Sequence, residues 1–324
     1  MWFKQIQIFK LAHAEPFSAA SLNNHLDPLR FSPCLPSLPS SAGWVCPVDN
    51  DAENAPLVRA INQCLMICLE VEEKILPTTV IRHELSKKIK RIEKAENRQL
   101  RQKEKLSLKE ELIVTLLPRA FTKSTRIYGY IDVKNSWLIL GTANAKKTEL
   151  FVAMFKKATH QSLQSLQIDT LATIITHWLQ KQDYPSAFAI EKSCVLQDPS
   201  QQNRIIRCQQ QDLFATSIQS LIKDGCEVRQ LSFSWHDRVS FTLTEAFTLQ
   251  SIKFQDELKG QAREMGAETK DQQFDADFLL MAETLSALLN DLLSPFRQAL
   301  IASDSPNQTL KKHAIQQEQS LTPA

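Results

Sequence analysis

Within residues 1–75, hydrophobic positions cluster in the strand-length stretches MWFKQIQIF, GWVCPV and QCLMICLEVEEKI, so this region reads as strand-rich. A Pro/Ser-rich connector, FSPCLPSLPSSAG, separates them. Near Thr78 the period changes. Ile81, Leu85, Ile89 and Ile92 recur at spacings of four, four and three, which predicts a helix with one apolar stripe, capped by Thr78 or Thr79. Ser107 and Glu110 then read as an S-x-x-E capping box for a second helix, with Leu108, Leu112, Ile113, Leu116 and Leu117 as its apolar face and Pro118 as its stop. Each stripe needs cover, so the two helices are expected to pair as a projecting hairpin.

Beyond the hairpin, TRIYGYIDVKNSWLILGTA predicts two strands around a turn near Asn135, and AKKTELFVAMFKKATH a helix. A strand at 163–168, the helix TLATIITHWLQKQ, the strands AFAIEKSCVL and NRIIRC and the helix DLFATSIQSLIKDG follow. A meander of CEVRQLSFSW, DRVSFTLT and FTLQSIKFQ precedes a last helix, DADFLLMAETLSALLNDLLSPF. Hairpins and meanders mixed with helices argue for an α+β fold with mixed or antiparallel sheets. The expected organisation is a sheet-containing body of two subdomains, residues 1–75 with 127–296, a helical arm at 76–126, and a polar, mobile tail at 297–324.

Composition narrows the class. A chain of 324 residues with 43% hydrophobic content can fill sizeable cores. It lacks an apolar run of about 18 residues, and Lys4, Gln5, Gln7 and Lys10 interrupt its N-terminus, so the cytoplasm is the expected compartment. Seven cysteines in no C-x-x-C spacing read as reduced, mostly buried thiols. Only six glycines occur, and none are arranged as G-x-G-x-x-G or G-x-x-x-x-G-K, which disfavours a phosphate-cradling nucleotide site.

Charge changes the picture most. The net charge is only +2, yet Leu76 to Arg126 holds 14 Lys and Arg against 6 Glu, leaving 24 cations against 30 anions elsewhere. Such segregation points to a polyanion. Lys87, Lys88, Lys90, Arg91, Lys94, Arg98, Arg101, Lys103 and Lys105 fall within 19 residues and are the candidate phosphate contacts. The plainer account of any one of them is a solvated helix laced by Glu93, Glu96 and Glu104. Phe121, just past Arg119, is either a wedge or stacking platform for nucleic acid at the end of the arm, or a residue packed in a turn or subunit contact.

Rival chemistry is thinner. His83-Glu84 starts an H-E-x-x-H pattern, but Lys87 stands where the second histidine belongs. Asp256, Glu257, Asp275 and Asp277 are the carboxylates from which a Mg²⁺-dependent nuclease would be built, and the competing account has Asp275 and Asp277 capping a helix start. A helical module for protein contacts is a further alternative.

Several stretches together resemble the RdgC family of bacterial recombination-associated proteins: MWFK, GWVCP, EEKILPTTVI, SLKEELIVTLLPRAF, YIDVKNSWLIL with AKK, KFQDEL and FDADFLLM, in order over residues 1–296. The resemblance implies a horseshoe-shaped subunit that closes with a second copy into a homodimeric ring around double-stranded DNA. It also implies nucleoid association, binding without sequence preference, restraint of the RecA recombinase through shared DNA, and no catalytic site or cofactor. On this chain it places Arg119, Phe121 and neighbouring Lys123 at a DNA-facing or ring-closing position. Family members tend to carry lysines before Gln-Asp-Leu, where this chain has Cys208, Gln209, Gln210 and Gln211. Gln210 and Gln211 are therefore expected to hydrogen-bond phosphates without releasing counterions.

Overall fold

A computed structural model of the chain describes residues 1–11, 17–48 and 55–296, with backbone alone at 201–203; the expected tail at 297–324 lies outside the described residues. The fold is α+β, with two antiparallel sheets and eight α-helices among the described residues. The first sheet contains β1 (Gln7–Leu11), β2 (Ser40–Val45), β3 (Val58–Ile61), β4 (Cys64–Lys74), β5 (Thr122–Asp132), β6 (Trp137–Leu140) and β7 (Leu163–Ser165). Its order is β2-β4-β5-β6-β1-β7, with β3 also paired to β4. The second contains β8 (Phe188–Asp198), β9 (Gln201–Gln209), β10 (Glu227–Trp235), β11 (Val239–Thr244) and β12 (Leu249–Phe254), in the order β12-β11-β10-β8-β9.

The near-continuous apolar run of β4 follows from burial on both faces. Leu65, Ile67, Leu69 and Val71 pack with Ile127, Ile131, Leu138 and Leu140 beneath α1 (Ala19–Leu26) and α4 (Ala145–Thr159), around Trp44, Phe151 and Phe155. Met66, Tyr130 and Ile139 face the other way, into a core shared with the second sheet and α8 (Lys270–Leu293). The Trp44 and Phe151 rings meet edge-on at 5.1 Å. Gly43 is required here because a Cβ would overlap the backbone of Phe31, whose amide donates to the Trp44 carbonyl at 2.9 Å.

The N-terminal segment joins the sheets. The pattern predicts one strand from Met1, but β1 begins at Gln7, and Ile6 instead exchanges backbone hydrogen bonds of 2.8 and 3.1 Å with Leu249 of the second sheet. The second sheet is covered on one face by α5 (Leu171–Lys181), α6 (Thr216–Lys223) and α8, and its other face is open.

Helix α8 starts earlier than its apolar pattern implied. Thr269 caps it in a reciprocal box with Gln272, so Asp275 and Asp277 lie inside the helix and do not cap it. Asp275 accepts from Nε and Nη2 of Arg59 on β3, and Asp277 accepts from the Met1 amino group at 2.5 Å. Further along, Trp235 Nε1 donates to Asp291 at 3.0 Å and Ser286 Oγ to buried Asp132 at 3.2 Å. Two helices, α1 and α7 (Asp256–Glu264), were not expected. Both are short, and too few apolar positions recur in them to carry a periodic signal.

The Phe278 ring lies 5.5 Å from that of Tyr130 and joins α8 to the first sheet. Phe278→Ala is expected to cost about 3–5 kcal/mol, read as a lower urea midpoint at an unchanged slope.

Candidate nucleic-acid interface

β4 and β5 form a hairpin of eleven registered pairs, from Cys64 opposite Asp132 to Lys74 opposite Thr122. Ile75 N then donates to Phe121 O at 2.7 Å. Everything between these two residues is the arm. It consists of α2 (Thr78–Glu96), a short loop, α3 (Gln102–Leu116) and a 3₁₀ turn, Leu117–Arg119.

Local chemistry sets the ends of these helices differently from the sequence reading. Neither Thr78 nor Thr79 caps α2; Pro77 occupies that position with no side-chain bond. Its fixed dihedral suits a helix entrance. Nor does Ser107 start α3, which begins five residues earlier, with Arg101 as its N-cap. There Glu104 accepts from the Arg101 amide at 2.7 Å and from the Arg98 guanidinium at 2.8 and 3.0 Å. A carboxylate meeting a helix N-terminus and an arginine fork needs no serine. At the same turn Asn97 is left-handed, and buried Leu100 donates its amide to Glu93 at 3.0 Å.

The acidic residues of the arm therefore act as staples. Lys105 meets Glu93 at 3.5 Å and Lys88 meets Glu111 at 2.9 Å, both from one helix to the other. Arg98 spans Glu96 and Glu104, and Lys87 pairs with Glu84 within α2. The lacing expected along one helix is thus mostly between helices. It supplements thin packing, because Ile81 is the one buried residue of α2 and α3 has none.

Four of the nine candidate cations are engaged in this way. Lys90, Arg91, Lys94, Arg101 and Lys103 are exposed and make no ion pair among the described residues, as is true of Arg82, Lys109, Arg119 and Lys123. Arg82 and Lys109 were absent from the candidate set although they belong to the same charged segment. Helical spacing places Lys87, Lys90, Arg91 and Lys94 on one stripe, opposite the half-buried Leu85, Ile89 and Ile92. This stripe spans about 10 Å of helix.

Phe121 is 84% exposed, so it does not pack within its own chain. Nor is it at the far end of the arm, which is the Asn97–Arg101 loop. It stands at the root, paired with exposed Ile75, and a further exposed apolar residue, Val80, lies in the first turn of α2. Gln210 and Gln211 lie elsewhere, at the exposed end of β9, where Gln210 is left-handed and the Gln211 amide donates to Lys192 O at 3.3 Å. Their neighbour Gln209, but neither of them, lines a hollow of about 770 Å³ on the open face of the second sheet, together with Arg207, Lys253 and Ser240 among others.

The proposed nuclease carboxylates are dispersed among separate partners: Asp275 with Arg59, Asp277 with the Met1 amine, and exposed Asp256 with Lys259 at 3.2 Å. Glu84, from the broken His-Glu pattern, is held by Lys87. Among the described residues no three His, Cys, Asp or Glu gather as metal ligands. No described helix is long and apolar enough to cross a membrane.

These features define an α+β protein that presents a cationic helical hairpin on an antiparallel sheet, a surface chemically suited to a polyanion. The chain belongs to the RdgC family: the family's sequence model, described as "Putative exonuclease, RdgC", matches residues 1–299. It is 34% identical over 299 residues to the recombination-associated protein RdgC of Yersinia enterocolitica, covering 90% of this chain and 97% of that protein. The proteins of the same name from Yersinia pestis and Yersinia pseudotuberculosis are 33% identical over the same shares. The resemblance expected from the sequence is thereby established.

The Arg98 fork, and next the Arg101 amide, hold the Glu104 carboxyl down at about 2. A depressed carboxylate stabilises the fold above its ordinary value near 4.5 and loses that contribution as pH falls toward 2. Acidification through that window is expected to fray the start of α3, raising amide exchange at Arg101 to Lys105 before the sheets open. Glu104→Gln should show the same fraying at neutral pH.

Proposed function

We propose that this protein binds double-stranded DNA without sequence preference, through the phosphate backbone. The observation that carries this reading is the stripe of Lys87, Lys90, Arg91 and Lys94 on the outward side of α2, three of its four members lacking an ion-pair partner among the described residues. Duplex DNA carries one charge per roughly 1.7 Å of axis, so a cationic rod laid along it displaces counterions whatever the bases. The recombination-associated names of the relatives support a role on DNA.

The finer reading is a homodimer closed as a ring around the duplex. In it, the exposed apolar residues Phe121 and Ile75 at the arm root, flanked by Arg119 and Lys123, meet DNA or the second copy. By occupying DNA the ring restrains RecA-dependent recombination and replication. The protein acts without catalysis or cofactor. The name of the matched family keeps a nuclease as the second reading, but the separate salt partners of Asp256, Asp275 and Asp277 favour binding alone.

Replacing Lys87, Lys90, Arg91 and Lys94 together with glutamine is expected to weaken duplex binding and to make the log-log salt slope shallower by about 3–4. Substituting Arg98 and Lys88 should act mainly on arm stability. Unchanged retention by the four-fold variant would reject the phosphate-stripe reading. Circularising the DNA should slow dissociation if the ring slides off ends, and cleavage of labelled duplex with Mg²⁺ or Mn²⁺ would select the nuclease.

A further inference from the structure

Two of the seven cysteines are placed unlike the rest. Cys194 of β8 and Cys208 of β9 are directly opposed in the antiparallel register, and both side chains turn to the buried face, at 3% and 6% exposure. Both are free thiols. Directly opposed antiparallel residues have Cα atoms about 4.5–5.5 Å apart, inside the roughly 4.4–6.8 Å range that a disulfide bridges. No other described cysteine is opposed to a second one: Cys64 faces Asp132, Cys68 faces Tyr128 and Val45, and Cys34, Cys46 and Cys226 lie outside the strands.

We propose that Cys194 and Cys208 form a reversible thiol–disulfide pair, oxidised by a small-molecule disulfide and reduced by a dithiol. The position of β9 gives the order of events. It is the edge strand of the second sheet, paired on one side only, so it opens more readily than β8, which lies between two strands. Opening exposes Cys208 first. Its thiolate attacks one sulfur of the reagent disulfide, forming a mixed disulfide and expelling one thiol. As β9 closes, the Cys194 thiolate attacks the Cys208 sulfur and expels the second thiol. Two S–H bonds and the reagent S–S bond are lost, and one protein S–S bond and two reagent thiols are formed; the cysteine sulfurs are oxidised and the reagent is reduced.

Burial keeps this pair reduced at rest, with the Cys194 thiol pushed up to about 12 by desolvation and then by its neighbour. Reaction is therefore gated by strand opening. The crosslink would fix β9 onto β8 immediately before the left-handed Gln210, at the strand end that carries Gln209 to Gln211. This inference stands on the pairing geometry and does not require DNA binding.

The full-length protein would be incubated under native conditions with hydroxyethyl disulfide, trapped with an alkylating agent after denaturation, and mapped by mass spectrometry. The expected result is the loss of two alkylatable thiols of the seven, a single crosslinked peptide pair containing Cys194 and Cys208, and full recovery with dithiothreitol. Cys194→Ser should stop at a mixed disulfide on Cys208. Seven alkylated cysteines, or a crosslink involving any other cysteine, would overturn the assignment.

Discussion

The arm cannot stand by itself. Its two helices bury a single residue between them outside the turns, so the pair depends on the eleven-residue β4–β5 ladder that holds both its ends at one place. Isolated helices of this length are marginal in water, and a stable root converts their association into an intramolecular event with little loop entropy left to lose. The ladder is in turn fixed by burial on both faces, by α1 and α4 on one side and α8 on the other. Register cannot slip there without turning every apolar side chain to the wrong face.

Within the arm, electrostatics is divided between two tasks. Glu93, Glu104 and Glu111 draw Lys105, Arg98 and Lys88 inward and replace the missing apolar core with cross-helix staples. Exposed pairs of this kind each contribute little, on the order of 0–1 kcal/mol, so several are needed and the apolar stripe still carries part of the load. The cations left over point outward. A dense basic run thus yields fewer ligand-facing charges than its composition implies, but it yields them on a stiffer rod.

The same economy appears in the body. The aspartates of FDADF serve α8 as anchors to β3 and to the chain's first residue, which is why a carboxylate-rich motif can sit in this fold without forming a common site. The opposed thiols of β8 and β9 lie on the buried face of the second sheet, behind the hollow that Gln209 borders. Chemistry at an edge strand is governed by how often that edge opens, and β9 is paired on one side only.

Much of this was legible in the sequence. Periodic and apolar segments marked most strands, though not β3 or their division into two sheets, and α2, α3, α4 and α8, because burial of one face imposes a spacing that polar residues cannot mimic. The charge excess in the arm and the family resemblance came from residue identity alone. Capping was misread at Thr78, Ser107 and Asp275, because the helix starts lie one to six residues upstream, at Pro77, at Arg101 with Glu104, and at Thr269, where the apolar period does not mark them. Which lysines face outward, where Phe121 sits and which cysteines meet were likewise decided only by tertiary structure. Periodicity reports which side of an element is buried; ion pairs and thiol contacts depend on what another element brings to that side.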